Sequence, residues 1–468
     1  MELMIIVFIV GYVCIAMEHK IKIDKAAVAL LMAGVMWVIY IVLTPLAASG
    51  ENSTSFAEFI ANNQHLKDLS IIEQSRRFIV DFQLIEYLGD VSSTLFFLIG
   101  AMTIVELIDA NHGFDIITRK IQTKDKRKLL WIIAGIAFVM SSVLDNLTTS
   151  IVMVTLVKKM IPNYKERWVF ASMIIIAANS GGAWSPIGDV TTIMLWIKGR
   201  ISSLPLIKSL LLPSLISTLV PLIFVTRLLK GGAQNVLKKA VTTVKEDAIG
   251  RRESITILVI GVLALLFVPV FKYFTGLPPF LGVLTSLAII WIYTEILFSR
   301  ARFKDSLKNR VTTVIKKIDT TTILFFLGIL LSVLSLQATG VLNIVGNFLN
   351  EKTQNIYLID MAIGALSSVV DNVPLVAVAM GMYPVIDPAT LSTIANPEFM
   401  QNFVMDGTFW QFLAYCSGVG GSMLIIGSAA GVVVMGLEKI RFNWYLKHIS
   451  LLAVAGYVAG ALTYIAFN

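Results

Sequence analysis

Apolar residues run along this chain in blocks of about 17 to 25, the length a helix needs to cross the hydrocarbon core of a bilayer. Ten such blocks predict full spans near 2–18, 26–44, 92–110, 168–197, 203–226, 253–271, 279–298, 320–345, 408–436 and 442–467. Two further apolar stretches, near 129–157 and 355–383, each carry a polar pair at the centre, Asp145-Asn146 and Asp371-Asn372. Both read as hairpins that enter and leave the membrane on one side. The segment from Gly50 to Asp90 is too charged to span, and within it Leu69 to Leu88 is amphipathic, which predicts a helix on the outer surface. A polar, basic linker at 229–252 divides the chain near its middle.

Charge orients these elements. With the N-terminus outside, the loops facing the cytoplasm hold 29 of the 38 Lys and Arg residues and the outer segments hold 7. This is the asymmetry expected of cytoplasmic loops. It also supports the hairpins, because turning one of them into a full span would put later basic loops outside. Both termini then lie outside, as in a multi-pass protein of a bacterial inner membrane. The net charge of +8 therefore belongs to loops and not to a nucleic-acid surface. Composition agrees, with 56% of residues hydrophobic and 15% charged, against roughly 45–50% and 25% in soluble domains. Met1 to Met17 has no basic leader or small-residue cleavage site and is expected to stay as the first span. Cys14 and Cys416 lie in apolar runs, which gives neither a disulfide framework nor metal-ligand spacing, so no resident cofactor is expected.

The two halves repeat. Ser141-Ser142-Val143-Leu144-Asp145-Asn146 returns as Ser367-Ser368-Val369-Val370-Asp371-Asn372, 226 positions later. Leu95-Phe96-Phe97-Leu98 returns as Leu324-Phe325-Phe326-Leu327, and Gly181-Gly182 with Gly188 returns as Gly420-Gly421 with Gly427. The expected architecture is an all-α polytopic membrane protein of two inverted repeats, at 1–228 and 253–468, each with five transmembrane helices, one of them broken, plus one re-entrant hairpin. An odd number of spans flips the second half, an arrangement common among secondary transporters that bind substrate near the midplane.

Carboxylates in hydrocarbon are expensive, roughly 2.5–3.5 kcal/mol on insertion scales, and mark ion or proton paths. Asp145 and Asp371 hold equivalent places at the two tips, where Asp-Asn is also good turn chemistry. Asn146 and Asn372 offer amide oxygens, and Ser141, Ser142, Thr148, Thr149, Ser367 and Ser368 offer hydroxyls, which suit a hard cation. A second element, Asn179-Ser180-Gly181-Gly182 through Pro186 to Gly188-Asp189 and Thr191-Thr192, interrupts a span. Broken backbone at membrane depth is tolerated only where it is buried in protein or lines a wet cavity. Its counterpart runs from Gly418 to Gly431 and contains Ser428. Asp189 either caps the second half-helix or takes part in binding. Glu106 and Asp109, near the cytoplasmic end of the third span, are weaker candidates, better suited to pairing or snorkelling, and Glu295 and Asp360 also fall near interfaces.

These motifs together resemble the NhaD-type sodium/proton antiporters of the ion transporter superfamily, which also holds arsenite pumps, citrate carriers and dicarboxylate/sodium symporters. The resemblance covers nearly the whole chain. It implies binding roles for Asp145, Asn146, Asn179, Asp189, Thr191, Thr192, Ser367, Asp371, Asn372 and Ser428, with Thr149 beside the first tip. It also implies a homodimer with an elevator-like transport domain. The dicarboxylate carriers carry Ser-Asn-Thr at these tips, and a carboxylate in place of that hydroxyl repels anions and attracts cations. The expected function is therefore exchange of cytoplasmic Na⁺ or Li⁺ for external H⁺, with Asp145, Asn146, Asp371 and Asn372 holding the transported ion. An anion carrier for arsenite, citrate or a dicarboxylate is the alternative. No enzyme is expected, since paired catalytic motifs are absent from the sequence.

Overall fold

A computed structural model describes residues 2–43, 53–114, 123, 125–228, 250–299, 310–353, 355–394 and 396–468. Residues 229–249 of the expected linker lie outside them. The described chain is helical, apart from an isolated bridge between Ile386 and Val404.

Helices α1 (Glu2–Ala16) and α2 (Lys25–Leu43) pack on each other and are followed by α3 (Ser53–Asn62). The helix after it departs from expectation. Ile71–Arg77 runs through a π-helical turn at Phe78–Gln83 into α4 (Leu84–Ala110), making one continuous apolar helix from Ile71 to Ala110. The amphipathic stretch is thus the entry to a span and not a separate surface helix. The reason is aromatic packing on its apolar side. Phe78 stacks with Phe82 and meets Phe56 and Phe59 edge-on, while the Tyr40 hydroxyl donates to Gln83 at 2.9 Å. The extra residue of a π-turn lets one helix serve both stretches.

Helices α5 (Lys126–Ser141) and α6 (Asn146–Met160) flank the first Asp-Asn pair. At 1.5 Å per residue, arms of 16 and 15 residues reach about 24 Å and 22 Å, short of the ~30 Å hydrocarbon layer. The first broken span follows as α7 (Tyr164–Ala183) and α8 (Val190–Ile197), and then come the full-length α9 (Ser203–Leu228), α10 (Arg251–Thr275) and α11 (Pro279–Ser299).

The apolar run 320–345 does not form one helix. Helix α12 (Thr320–Ala338) stops short of Gly340, whose φ of +74° is left-handed, and α13 (Val341–Thr353) starts anew. A left-handed glycine is a common helix terminator. Helices α14 (Ile356–Ser367) and α15 (Asn372–Met382) flank the second Asp-Asn pair and, at 12 and 11 residues, are shorter still. The second broken span is α16 (Thr408–Gly420) and α17 (Ala429–Glu438). A last helix, Phe442–Phe467, contains α18 (Leu451–Phe467).

Seven of the described helices are long and apolar enough to cross a membrane. Large apolar side chains such as Leu31, Val38, Leu263, Ile292 and Leu462 stand exposed on them, a surface that calls for lipid. The protein is an all-α, multi-pass membrane protein.

The chain forms two compact units. One contains 1–96, 319–355 and 373–384. In it α2 lies along α12 closely enough that a Cβ on Gly328 would strike the Ala29–Leu30 backbone, and the Trp37 indole donates to the Leu331 carbonyl at 3.1 Å. The other unit contains 97–318, 356–372 and 385–468. There α18 packs on α9 through Gly456 and Gly460, with no room for a Cβ against Ser217, Pro213 and Pro221. Small residues of this kind let membrane helices approach closely. All the expected site residues belong to this second unit.

Candidate functional site

The two hairpins and the two broken spans are packed in the same way. On the first side, a Cβ at Gly181 would run into the Phe138 carbonyl of α5, and one at Gly188 into the Ser141 carbonyl. On the second, Gly420 would run into the Gly364 carbonyl of α14, and Gly427 into those of Ser367 and Ser368. Hydroxyls repeat the pattern: Ser141 donates to the Ala178 carbonyl at 2.6 Å, and Ser367 to the Ser417 carbonyl at 2.8 Å. Each tip is therefore held against a break by glycine contacts, and Ser367 has its hydroxyl hydrogen committed to that packing.

At each break a new half-helix begins with an oxygen-bearing cap. Asp189 precedes α8, and its backbone exchanges bonds with Thr192, N–H to Oγ1 at 3.3 Å and Oγ1–H to the carbonyl at 2.9 Å. Ser428 precedes α17, and its hydroxyl oxygen accepts from the Gly431 N–H at 3.1 Å. Asp145 caps α6 in the same manner, taking the Thr148 N–H on Oδ1 and the Thr148 hydroxyl on Oδ2, both at 2.7 Å.

A buried polar network joins these parts. The Asn146 amide donates to Asn179 Oδ1 at 3.1 Å, and the Asn179 amide donates to Ser422 at 2.9 Å and to Ser428 at 3.0 Å. The first tip thus reaches both breaks. From the second tip, the Asn372 amide donates to Asp189 Oδ2 at 3.0 Å. Asn146, Asn179, Asp189, Asn372, Ser422 and Ser428 are all buried. The carboxylate within electrostatic reach of Asp371 is that of Asp189. Asp189 thus caps α8 while its carboxylate meets the second tip.

Among the expected residues the structure gathers Asn146, Asn179 and Ser428 in one chain of bonds and Asn372, Asp189 and Asp371 in another cluster. Asp145 is half-buried, with its bonds to Thr148 local. Thr149 is wholly buried, and its hydroxyl has no hydrogen-bond partner among the described residues. Thr191 is also buried. Ser422 was missed. Its signal was the step after the Gly420-Gly421 pair, where Ala183 follows Gly181-Gly182 in the other half. Of the weaker candidates, Glu106 faces Lys317 at 3.9 Å and Glu295 faces Arg310 at 3.7 Å. Asp360 is wholly buried.

The site is rich in oxygen and poor in cationic groups. Neither Asp145 nor Asp189 has a basic side chain as partner among the described residues. Carboxylates, amide oxygens and hydroxyls are the ligands of hard cations. There is no cluster of three His, Cys, Asp or Glu among the described residues, so a cation here would draw on amides and hydroxyls as well as acids.

A family model for citrate transporters (CitMHS) matches residues 12–398. Sodium/proton antiporter 1 of Arabidopsis thaliana is 41% identical over 466 residues, covering 99% of this chain and 72% of that one. Sodium/proton antiporter 2 of the same plant is 40% identical over 465 residues, covering 99% of each. The Na(+)/H(+) antiporter NhaD of Vibrio cholerae is 27% identical over 493 residues, covering 99% of this chain and 91% of that one. These are transporters and not enzymes. The match over most of the chain, together with relatives 40% and 41% identical, makes this protein a member of the citrate transporter (CitMHS) family, and its resemblance to the NhaD-type antiporters holds along its whole length.

Proposed function

We propose that the protein exchanges Na⁺ or Li⁺ for H⁺, with ion and proton competing for the carboxylates between the hairpin tips and the breaks. The observation that carries this is the Asn372–Asp189 bond with Asp371 beside it. A tip amide steers a buried carboxylate, and the second acid next to it gives a site that a proton or a cation must neutralise. Two like charges in one pocket favour taking up either. The names of the relatives support sodium and proton as the pair.

In this reading Asp145, Asn146, Asp371 and Asn372, with Asn179, Asp189, Thr149, Thr191, Thr192, Ser367 and Ser428, surround the transported ion. Protons from outside load the acids and leave to the cytoplasm, and cytoplasmic Na⁺ then binds and is carried out. Each ligand stabilises loaded states that can cross, which couples the fluxes. The repeats at 1–228 and 253–468 would face opposite ways, as the basic loops support, with both termini outside. The short hairpin arms support re-entrance. A bacterial inner membrane fits that orientation, and a homodimer rests on the family resemblance alone.

The test uses everted vesicles with a pH-sensitive dye. Adding Na⁺ or Li⁺ is expected to dissipate an imposed proton gradient, and no response to either ion would sink the proposal. Citrate is the control suggested by the family's description; proton movement driven by citrate and indifferent to Na⁺ would favour the anion carrier instead.

Asn179 gives a sharper test, because its amide bridges the first tip and the second break. Asn179→Ala strands the Asn146 amide and the Ser422 hydroxyl in a buried place, at about 1–3 kcal/mol for each polar group left without a partner, and leaves Ser428 with the Gly431 N–H. The half-saturating Na⁺ concentration in the dye assay is expected to rise at least ~10-fold, the equivalent of about 1.4 kcal/mol. An unchanged value would place Asn179 outside the ion site.

A further inference from the structure

Asp360 is a buried acid that the site above does not use. It sits on α14, the arm that leads to the Asp371 tip, and is wholly inaccessible to solvent. Neither carboxyl oxygen has a hydrogen-bond partner among the described residues. Its electrostatic neighbours are Cys416 on α16 and Tyr457 and Tyr464 on α18, and no basic group is among them. The tyrosine hydroxyls face elsewhere: Tyr457 donates to the Met361 carbonyl at 3.3 Å, Tyr415 to the Tyr457 carbonyl at 2.7 Å, and Tyr464 to the Thr408 carbonyl and Gln411 Oε1 at 3.4 and 3.3 Å. A carboxylate ion here would have neither counter-charge nor donor, a state that buried groups avoid by staying neutral.

The internal repeat shows that packing does not require an acid here. The step of 226 positions that carries Asp145 to Asp371 carries Ala134 to Asp360, and the step of 239 that carries Gly181 to Gly420 carries Ala177 to Cys416. Ala134 and Ala177 are both wholly buried. In the first half, then, two methyl groups fill the place that an acid and a thiol fill in the second.

We propose that Asp360 is a second proton-carrying site, apart from the acids that meet the metal ion. It holds its proton in the packing described here and exchanges it with water when the α14–α16 contact loosens during transport. The carboxyl O–H breaks and re-forms, and nothing else changes hands. Asp360 lies seven residues before the end of the helix that presents Asp371, about 10 Å along its axis, so displacement of that tip is transmitted to it. This role rests on the exchange reading above, whereas the protonated state does not.

Two measurements on the full-length protein in lipid test it. Difference infrared spectroscopy is expected to show a protonated-carboxyl C=O band that Asp360→Asn removes and that changes between Li⁺-loaded and ion-free protein. In proteoliposomes, the proton-to-sodium ratio obtained from the gradient at which flux reverses is expected to fall in Asp360→Asn and equally in Asp360→Ala, which copies Ala134. A band absent from the wild type, a band indifferent to Li⁺, or an unchanged ratio in both variants overturns the proposal. If the wild type showed no exchange at all, the vesicle assay would fail while the infrared band still reported on Asp360, so the two failures can be told apart.

Discussion

Asp371→Asn is expected to insert and fold as the wild type does and to lose Na⁺- and Li⁺-dependent proton movement. Asparagine keeps the size and planarity of the side chain, so the tip keeps its shape. The charge is what goes. At ~4 Å and an effective dielectric constant of about 20, one carboxylate contributes about 4 kcal/mol to holding a monovalent cation, and at about 1.4 kcal/mol per decade that is roughly a thousand-fold in affinity. The same substitution removes a proton acceptor, so both sides of the exchange fail together. Asp189→Asn should behave alike, because Asp189 is the acid within electrostatic reach of Asp371 and takes the Asn372 amide. The dye assay measures the loss, and gel filtration and thermal melting in detergent confirm the fold. Exchange within a few-fold of wild type in well-folded Asp371→Asn would remove this residue from the ion site.

Which parts of this could be read in the sequence follows from the range of the interactions involved. Spans, hairpins and breaks are local. Apolar run length, an Asp-Asn centre and a Gly-Pro interruption each declare themselves within about one turn or two, and the structure has helices over the apolar runs and helix interruptions at the Asp-Asn and glycine motifs. The failures lie where an apolar pattern cannot show whether a helix continues. Leu69–Leu88 looked like a surface helix because its pattern is two-faced, yet the cluster of Phe56, Phe59, Phe78 and Phe82 holds it as the entry to α4. The run 320–345 looked continuous because Gly340 costs it little hydropathy, yet its left-handed backbone ends the helix. Partner choice was beyond reach altogether. Asn179 finds Ser428 249 positions away, and Asn372 finds Asp189 183 positions back. Nothing in periodicity tells a hydrogen-bond donor which acceptor it will face. The burial of Asp360 was beyond reach for a related reason, since closeness to a span end in sequence says nothing about what lies over it.

Gly181→Ala and Gly420→Ala are expected to destabilise the protein to a similar degree, although one lies in each half. A methyl group at Gly181 meets the Phe138 backbone, and one at Gly420 meets the Gly364 backbone. Backbone cannot rotate away as a flexible side chain can, so the hairpin arm itself must move. Overpacking of this kind costs about 1–3 kcal/mol, to be read as a fall in melting temperature or in the yield of monodisperse protein. Gly135→Ala is the control: it lies on the same arm as Phe138, a Cβ there meets nothing within 4 Å, and the exchange raises helix propensity by up to about 1 kcal/mol. It should leave stability equal or improved. The comparison bears on function because the arms pressed by these glycines carry the tips. Displacing α5 moves Asn146 away from Asn179, and displacing α14 moves Asn372 away from Asp189. Ion affinity should therefore fall with stability in both glycine variants and in neither respect in the control. If Gly181→Ala and Gly420→Ala melted like the wild type, the close packing of hairpin on broken helix would be wrong, and with it the placement of the tip residues that the ion site requires.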